Sequence, residues 1–509
     1  MPRFPSVIVI GAGPTGLALA AELASAGIAC RVFDKRLTPS PHSRAFGLFP
    51  RTLELLELRG RADAFVAHGL PWARSSLGDG KRWLDFGNLD SPFPYMLVIP
   101  QSRTEEQLAA WAVESGAEIK RGVTVTGLRQ DTDGVDVEVS APDGPRTERA
   151  DFVVGCDGVR SSVRQLAGIS FRGSSYDSSL IVADVRLATT PDPLVYVRIA
   201  RRGLVGFYPF SDGTFRMVAL DHERMEVPVE QPVTADELRE SCRAILGTDF
   251  GLHDPLWMAR YRSEQRLSDC YRLGRVLLAG DSAHTHIPSG GQGLQTGIQD
   301  AMNLGWKLAA HLRGWAPAHL LDTYQQERRP IAEKTLRRTD LLYKFETSKS
   351  AGAWLLRWLV TRLTGLPQVE TSVIEQLSGL ALRYPAHSGA PEAGRHRLVG
   401  RRLPDGILHF HDGVTGRLYE HFRYGGFVLL DKSSDGISSG VVEGGWADRV
   451  WVVRATCTDR PELPEAVLTR PDGYIAWAGR ADDTRGLREA LRYWCGQPTT
   501  VGSPGGITR

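Results

Sequence analysis

The sequence predicts an α/β protein in which a mostly parallel, helix-covered sheet is interrupted by an antiparallel sheet and followed by a separate C-terminal α/β unit. Three observations carry this reading. Residues 6–10 (SVIVI) form a short β-branched apolar run, as expected of a strand buried on both faces. A glycine-rich turn follows. Residues 14–27 then place Leu17, Ala20, Ala21, Leu23 and Ala24 on one helical stripe that Gly27 ends, and Cys30–Phe33 is the next strand, completing a βαβ unit. Residues 176–222, in contrast, alternate and are rich in Val, Tyr, Phe and Thr, the pattern of an antiparallel sheet.

The remaining elements follow in order. Helical patterns occupy 51–58 and 104–115, and 119–141 reads as a hairpin turning at Thr132-Asp133-Gly134. Residues 151–155 and 275–280 return to the buried-strand type, and Gln299–Leu312 is helical. Residues 319–385 read as mostly helical, 391–394 as a loop, and 397–495 as the separate unit, in which Trp446, Trp451 and Trp477 are expected to form core. There is no internal repeat or low-complexity segment.

Composition narrows the function classes. A chain of 509 residues has room for roughly three to four domains. Its 42% hydrophobic and 24% charged residues are ordinary for a soluble globular protein, and a formal net charge of +2 offers no basic field for nucleic acid or anionic membrane. No stretch reaches the about 18 consecutive apolar residues of a membrane span. Six scattered cysteines without a C-x-x-C pair predict reduced thiols in a cytoplasmic protein, with no structural zinc.

The turn after the first strand, Gly11-Ala12-Gly13-Pro14-Thr15-Gly16, matches G-x-G-x-x-G between a strand and a helix. Gly11 permits the tight turn, Gly13 lets a pyrophosphate approach the backbone, and Gly16 lets helix and strand pack closely. The phosphates meet the N–H groups and positive end of the helix. Asp34, 23 residues after Gly11 at the end of the second strand, is placed to accept bonds from a ribose. The fingerprint alone does not distinguish one dinucleotide from another.

Two later segments do. GCDGVRSSVR (155–164) and LLAGDSAHTHIPSGGQGLQTGIQDAMNLGWKLA (277–309) resemble the other two signatures of class A flavoprotein monooxygenases, the para-hydroxybenzoate hydroxylase type. The second also has a reading of its own. Asp281 follows a buried strand, where its carboxylate can meet a ribityl hydroxyl. Gly290, Gly291 and Gly293 form a loop almost without side chains, against which a flat ring can lie. A helix beginning near Leu294 would turn its N–H groups toward a pyrimidine that becomes anionic on reduction. Residues 391–495, through VGRRLPD and AVLTRPDGYIAWAG, resemble the thioredoxin-like domain of the larger family members. GTDFGLHDPLW, GWKLAAHLRGWAP and LLDTYQQERRPIA bring polyketide hydroxylases of the anthracycline, angucycline and tetracycline kind and rifampicin monooxygenase nearest.

The resemblance implies a glutathione-reductase-type FAD domain at 1–71, 101–173 and 265–345, and a substrate domain at 72–100 and 174–264. A helical linker at 346–395 and a thioredoxin-like domain at 396–509 complete the chain. It implies FAD contacts at Gly11, Gly13, Pro14, Thr15, Gly16, Asp34, Lys35, Arg44, Gln101, Val125, Asp157, Asp281, Pro288, Gly291, Gly293, Leu294 and Gln295. Arg44 and the Pro288 carbonyl face the reacting ring, and Phe46, Tyr208, Phe210, Arg216, Ser289 and Gly290 are the expected substrate contacts. Tyr208 and Arg216 have plainer readings, as a sheet core residue and a solvated charge. Gln295 stands where the family usually has Asn, and Phe46 replaces a commonly polar residue.

NADPH or NADH and molecular oxygen are the implied co-substrates, and a C4a-hydroperoxyflavin hydroxylates a bulky aromatic partner. No general base and no metal site is expected, the His284/His286 pair included. The chain is expected to act as a monomer or homodimer. Baeyer–Villiger oxygenation on the same scaffold and non-catalytic sequestration of an aromatic drug are the alternatives. The W-x-W-x-I-P signature of flavin halogenases is absent from all twelve tryptophans.

Overall fold

The computed structural model describes residues 6–40, 45–76, 83–287, 290–348, 352, 366–385, 387 and 396–499. Strand Val7–Ile10, fully buried, lies inside a six-stranded sheet. It pairs in parallel with Phe152–Gly155 on one side and Cys30–Asp34 on the other. Val276–Leu278 and Glu118–Arg121 extend the parallel order outward, and Arg272–Leu273 adds an antiparallel edge. Glu118–Arg121 thus leaves the expected 119–141 hairpin for the main sheet, because Gly122, at φ +73°, turns the chain after it. The hairpin itself is Thr124–Gln130 with Val135–Ala141. The Asp131 carboxylate closes its turn by accepting the N–H groups of Asp133 and Gly134.

Helix Pro14–Ser25 covers the sheet and crosses helix Gln292–Leu312 so closely that a Cβ at Gly305 would stand 2.7 Å from the Glu22 Cβ. The latter helix begins seven residues before the expected helical segment from Gln299, and two before the start near Leu294 expected behind the glycine loop. Its first two turns are polar in sequence, yet Gln295, Thr296, Gln299 and Asp300 are buried there. Polar residues with buried partners do not register in an apolar periodicity.

The second sheet is antiparallel, in the order Tyr196–Ala200, Gly203–Pro209, Phe215–Asp221, Phe171–Leu187, Leu252–Ser268, His284–Thr285. Helix Ala235–Leu246 covers one face; the Thr234 side chain caps its start and left-handed Gly247 ends it. The short strand His284–Thr285 joins this sheet six residues after Leu278 leaves the first, so one turn belongs to both sheets.

The C-terminal unit places Val450–Arg454, Phe427–Asp431, Ala466–Thr469 and Ile475–Gly479 side by side, the first pair parallel and the others antiparallel. With helices Ile437–Glu443 and Thr484–Cys495, this 2-1-3-4 order is the thioredoxin-like arrangement. Trp446 and Trp477 are core, but Trp451 is 52% exposed, a correction to its expected place. Strand alternation turns it outward, where it stacks on Tyr424. Trp306, Ala310 and Leu320 of the first domain pack into the same core as Phe427 and Leu429, so the two units share an apolar seam.

Candidate active site

The glycine turn has the geometry its residue types demand. Gly11 lies at φ +107°, and a Cβ there would stand 2.4 Å from the Cys156 carbonyl oxygen. A Cβ at Gly16 would stand 1.9 Å from the Gly11 oxygen. Around Gly13 there is nothing within 4 Å of the Cβ position, and Gly13 caps helix Pro14–Ser25 without any side-chain hydrogen bond. Two glycines therefore serve close packing, and the third leaves open space at an uncapped helix N-terminus, as a pyrophosphate requires. Asp34 is buried, and its carboxylate accepts the N–H groups of Ala12 and Arg36, each at 2.8 Å. Burial would raise its pKa, but the Arg36 guanidinium and these two N–H groups outweigh it and hold the carboxyl below the usual range. The bond to Ala12 ties the strand end to the glycine turn, a role the sequence reading did not include. Lys35 beside it is exposed.

Thr15 points inward as a spacer. A Cβ at Gly280 or at Gly297 would meet its Oγ1 at 2.5 and 2.3 Å respectively. Its side chain thus locks the first turn, the Gly280-Asp281 turn and the long helix together. Asp281 is exposed at this junction. Asp157, whose Cα is within 2.9 Å of a Cβ position at Gly11, accepts the N–H groups of Ser162 and Val163 through Oδ2. Its Oδ1 is buried without a partner, and burial pushes its pKa up. Gln101 accepts the Ala45 N–H and donates to Glu105, tying its helix to the 45–49 segment. Val125 is buried, two residues beyond Val123, whose N–H bonds the Asp34 carbonyl.

At the second half of the site, Gly290 and Gly291 are both left-handed, at φ +79° and +64°. Gly291 caps helix Gln292–Leu312 without a side-chain bond, so the first-turn N–H groups of Gln292, Gly293 and Leu294 have no side-chain cap. Gln295 is buried, and its amide is committed elsewhere. Its Oε1 accepts from Phe49 N–H and Thr52 Oγ1, and its Nε2 donates to the Gly47 carbonyl at 2.7 Å. The side chain is a tether to the 46–52 segment. His284 is paired through Nε2 with Asp300, and His286 bonds the Ile287 carbonyl. Among the described residues there is no group of three or more metal-ligating side chains. Arg44, Pro288 and Ser289 lie outside the described residues.

Beside the glycine loop sits an apolar cluster that includes Phe49, Phe86, Met96 and Phe210, with Phe46, Trp72 and Tyr208 packed against it. Phe46 and Tyr208 pack with ring centroids 4.2 Å apart and planes tilted by 35°. Cβ positions at Gly291 and Gly290 would touch Phe49 and Leu377, two members of this group, so the bare loop and the aromatic wall are neighbours. Arg216 is 1% exposed, so it is no solvated charge. It forks onto Asp184, reaches the Ala45 carbonyl and lies over the Phe210 and Trp257 rings. It braces the wall from behind. An open surface cavity of about 390 Å³ lies elsewhere, between Arg172–Tyr176 and Leu336–Lys344. Its charged lining is already paired, Arg172 with Asp269 and Lys344 with Asp340, so it lacks the apolar walls of an aromatic site.

The open cradle at Gly13, the orphaned Asp157 oxygen and the uncapped helix at Gly291 fit a flavin dinucleotide laid across both turns. The comparisons agree. Residues 5–339 match the FAD binding domain family and residues 396–498 the aromatic-ring hydroxylase C-terminal family. The 12-dehydrotetracycline 5-monooxygenase/anhydrotetracycline 6-monooxygenase of Streptomyces rimosus is 39% identical over 508 residues, 97% of this chain and 99% of its own. Rifampicin monooxygenase of Streptomyces venezuelae is also 39% identical, over 97% of this chain and 99% of that protein. The solved structure of the OxyS anhydrotetracycline hydroxylase from Streptomyces rimosus matches with a TM-score of 0.87 at 39% identity, covering 98% of this chain and all of that one. The likeness thus runs through both matched regions and the full length of these relatives, and the chain belongs to the FAD-binding aromatic-ring hydroxylases, as a flavin-dependent monooxygenase.

Proposed function

We propose that the substrate is a bulky polycyclic phenol, of the polyketide or ansamycin type, hydroxylated with NADPH or NADH and oxygen. The observation that carries this is the aromatic cluster around Phe46, Tyr208 and Phe210, whose members Phe49 and Leu377 adjoin the glycine loop. Bound FAD supplies hydride acceptance and oxygen activation. The chain supplies position. The Gly13 cradle and the helix N-terminus would hold the pyrophosphate, Asp34 and Asp281 would meet the ribose and the ribityl chain, and the N–H groups at Gly293–Gln295 would serve the pyrimidine. Phe46 and Tyr208 stack the substrate and exclude water. Arg44 and Pro288, outside the described residues, are assigned to the reacting face on the family resemblance alone. No helix among the described residues is long and apolar enough to cross a membrane, and we assign the protein to the cytoplasm on its scattered thiols.

The test is a screen of polycyclic phenols and ansamycins, read by perturbation of the flavin spectrum and stimulated NADPH oxidation, with products identified by mass and NMR. A ring hydroxyl in the product supports the proposal. A lactone or ring-expanded ester assigns Baeyer–Villiger chemistry instead, and ligand binding without NAD(P)H consumption assigns sequestration.

A further inference from the structure

Arg470-Pro471-Asp472-Gly473 forms a tight turn between strands Ala466–Thr469 and Ile475–Gly479 of the C-terminal domain. It is closed by the Gly473 N–H on the Arg470 carbonyl, with Gly473 at φ +72°. This turn does not face solvent. Arg470 and Asp472 are 2% and 1% exposed, sunk into the flavin-binding domain.

We propose that this turn is a positioning element of the flavin site, acting through two buried relays; the proposal rests on the flavin reading above. The first relay starts at Arg470, whose guanidinium forks onto both oxygens of Glu327 at 2.5 and 2.9 Å. Glu327 also accepts from Lys307 and Asn303 of the long helix, each at 2.7 Å. Burial alone would raise the Glu327 pKa; the Arg470 and Lys307 charges outweigh it and hold the carboxyl well below the usual range. The next residue, Arg328, on the same helix Asp322–Thr347 as Glu327, donates to Asp300 Oδ1 at 2.7 Å and to the Thr296 carbonyl at 3.1 Å. Asp300 Oδ2 in turn accepts the Gly280 N–H at 3.1 Å and pairs with His284. Three ionic or hydrogen-bonded steps, with the Glu327–Arg328 peptide between the first and second, therefore join the C-terminal turn to the Gly280-Asp281 turn.

The second relay starts at Asp472. Its carbonyl accepts from Arg51 Nη2 at 2.8 Å, and its carboxylate accepts from Asn303. Arg51 precedes Thr52, whose hydroxyl donates to the Gln295 amide at 2.6 Å, and so fixes the 46–52 segment against the start of the long helix. Both edges of the flavin site are held from one turn of another domain. A buried ionic network is a poor means of gluing two domains together, because apolar side chains of similar volume serve as well or better. What charges of fixed geometry add is register: the first relay ends on the Gly280 N–H, and the second on the Gln295 amide at the start of the long helix.

The experiment uses full-length protein with Arg470→Met, and with Arg470→Lys and Asp472→Asn, which keep the turn and carry the test if the first variant does not fold. Apoprotein melting, FAD titration and the visible circular dichroism of bound flavin are measured on each. Phe427→Leu, which loosens the apolar seam between the same domains, is the control. The relay variants should lose FAD affinity by about 3- to 30-fold and alter the flavin dichroism. The control should lower the melting temperature and leave both unchanged. Relay variants that melt earlier yet bind FAD with wild-type affinity and dichroism overturn the proposal and leave the turn as domain glue. Wild-type protein that binds no FAD overturns the flavin reading itself, and the proposal with it.

Discussion

Gly13 and Gly16 stand three residues apart in one turn and respond to opposite demands. A methyl group at Gly16 collides with the Gly11 carbonyl, whereas one at Gly13 meets only the space reserved for phosphate. Gly16→Ala should therefore destabilise the apoprotein, and Gly13→Val should leave apoprotein melting near wild type while abolishing FAD retention. Melting curves and FAD titration on the two variants check this; equal FAD occupancy in wild type and Gly13→Val would falsify the cradle. His286 gives a pH prediction. The Ile287 carbonyl accepts from Nδ1, so Nδ1 carries the proton of the neutral ring, and Nε2 is buried without a partner. Burial lowers its pKa to about 4, with His284 and Arg338 adding repulsion. A histidine depressed on folding leaves stability intact above its unfolded pKa near 6.5 and costs stability as pH falls toward about 4, because the unfolded chain takes up the proton first. Urea midpoints of the wild type should fall more steeply between pH 6.5 and 4 than those of His286→Phe, and parallel curves would remove His286 from the account. The glycine roles were legible in the sequence because spacing alone dictates them. The neutral His286 was not, since its partner is a carbonyl that no motif marks.

Helix Gln292–Leu312 shows what an element adds. Its glycine cap and a helix start near Leu294 were legible, but the burial of its polar first turns was not, because the Gln295 and Asp300 side chains are satisfied by partners outside the helix. Gln295 contacts Phe49 and Thr52, 246 and 243 residues distant. Gln295→Leu removes three hydrogen bonds and leaves the Phe49 N–H and Gly47 carbonyl unpaired, at a cost of about 2–3 kcal/mol in urea unfolding. Gln295→Asn, one methylene shorter, should lose part of the tether and affect substrate-stimulated turnover more than FAD affinity, since the loosened segment carries Phe46. Stopped-flow reduction with and without ligand, alongside FAD titration, separates the two effects. Arg216 teaches the same lesson: a charged residue in a strand pattern reads as exposed, and only the packed sheet shows Asp184 waiting opposite it.

Across the whole molecule, the parallel sheet, the antiparallel sheet and the C-terminal unit were all legible, because each has its own period and bounding turns. Their mutual contacts were not, as the Arg470–Glu327 pair, 143 residues apart, illustrates. At this scale the prediction concerns coupling. The chain carries one dinucleotide fingerprint, used for FAD, so NAD(P)H must reach the same site from solvent. NAD(P)H oxidation should accordingly be slow without substrate and rise many-fold with a correct aromatic ligand; an unchanged reduction rate with a verified substrate would sink this. Thiol chemistry should play no part, since burial pushes the Cys30 and Cys242 thiols up to about 12, and replacing the six cysteines should leave turnover intact apart from packing losses. The aromatic wall has a further consequence. Its members come from separate stretches, including Phe46–Phe49, Leu84–Val98, Val195–Phe210 and Val373–Leu380, whereas the cofactor turns use none of these residues. Mutational drift at Trp72, Val195 or Val373 can therefore reshape what the enzyme accepts while its redox half stays untouched. That separation makes the scaffold evolvable and names the three positions at which a saturation library should begin.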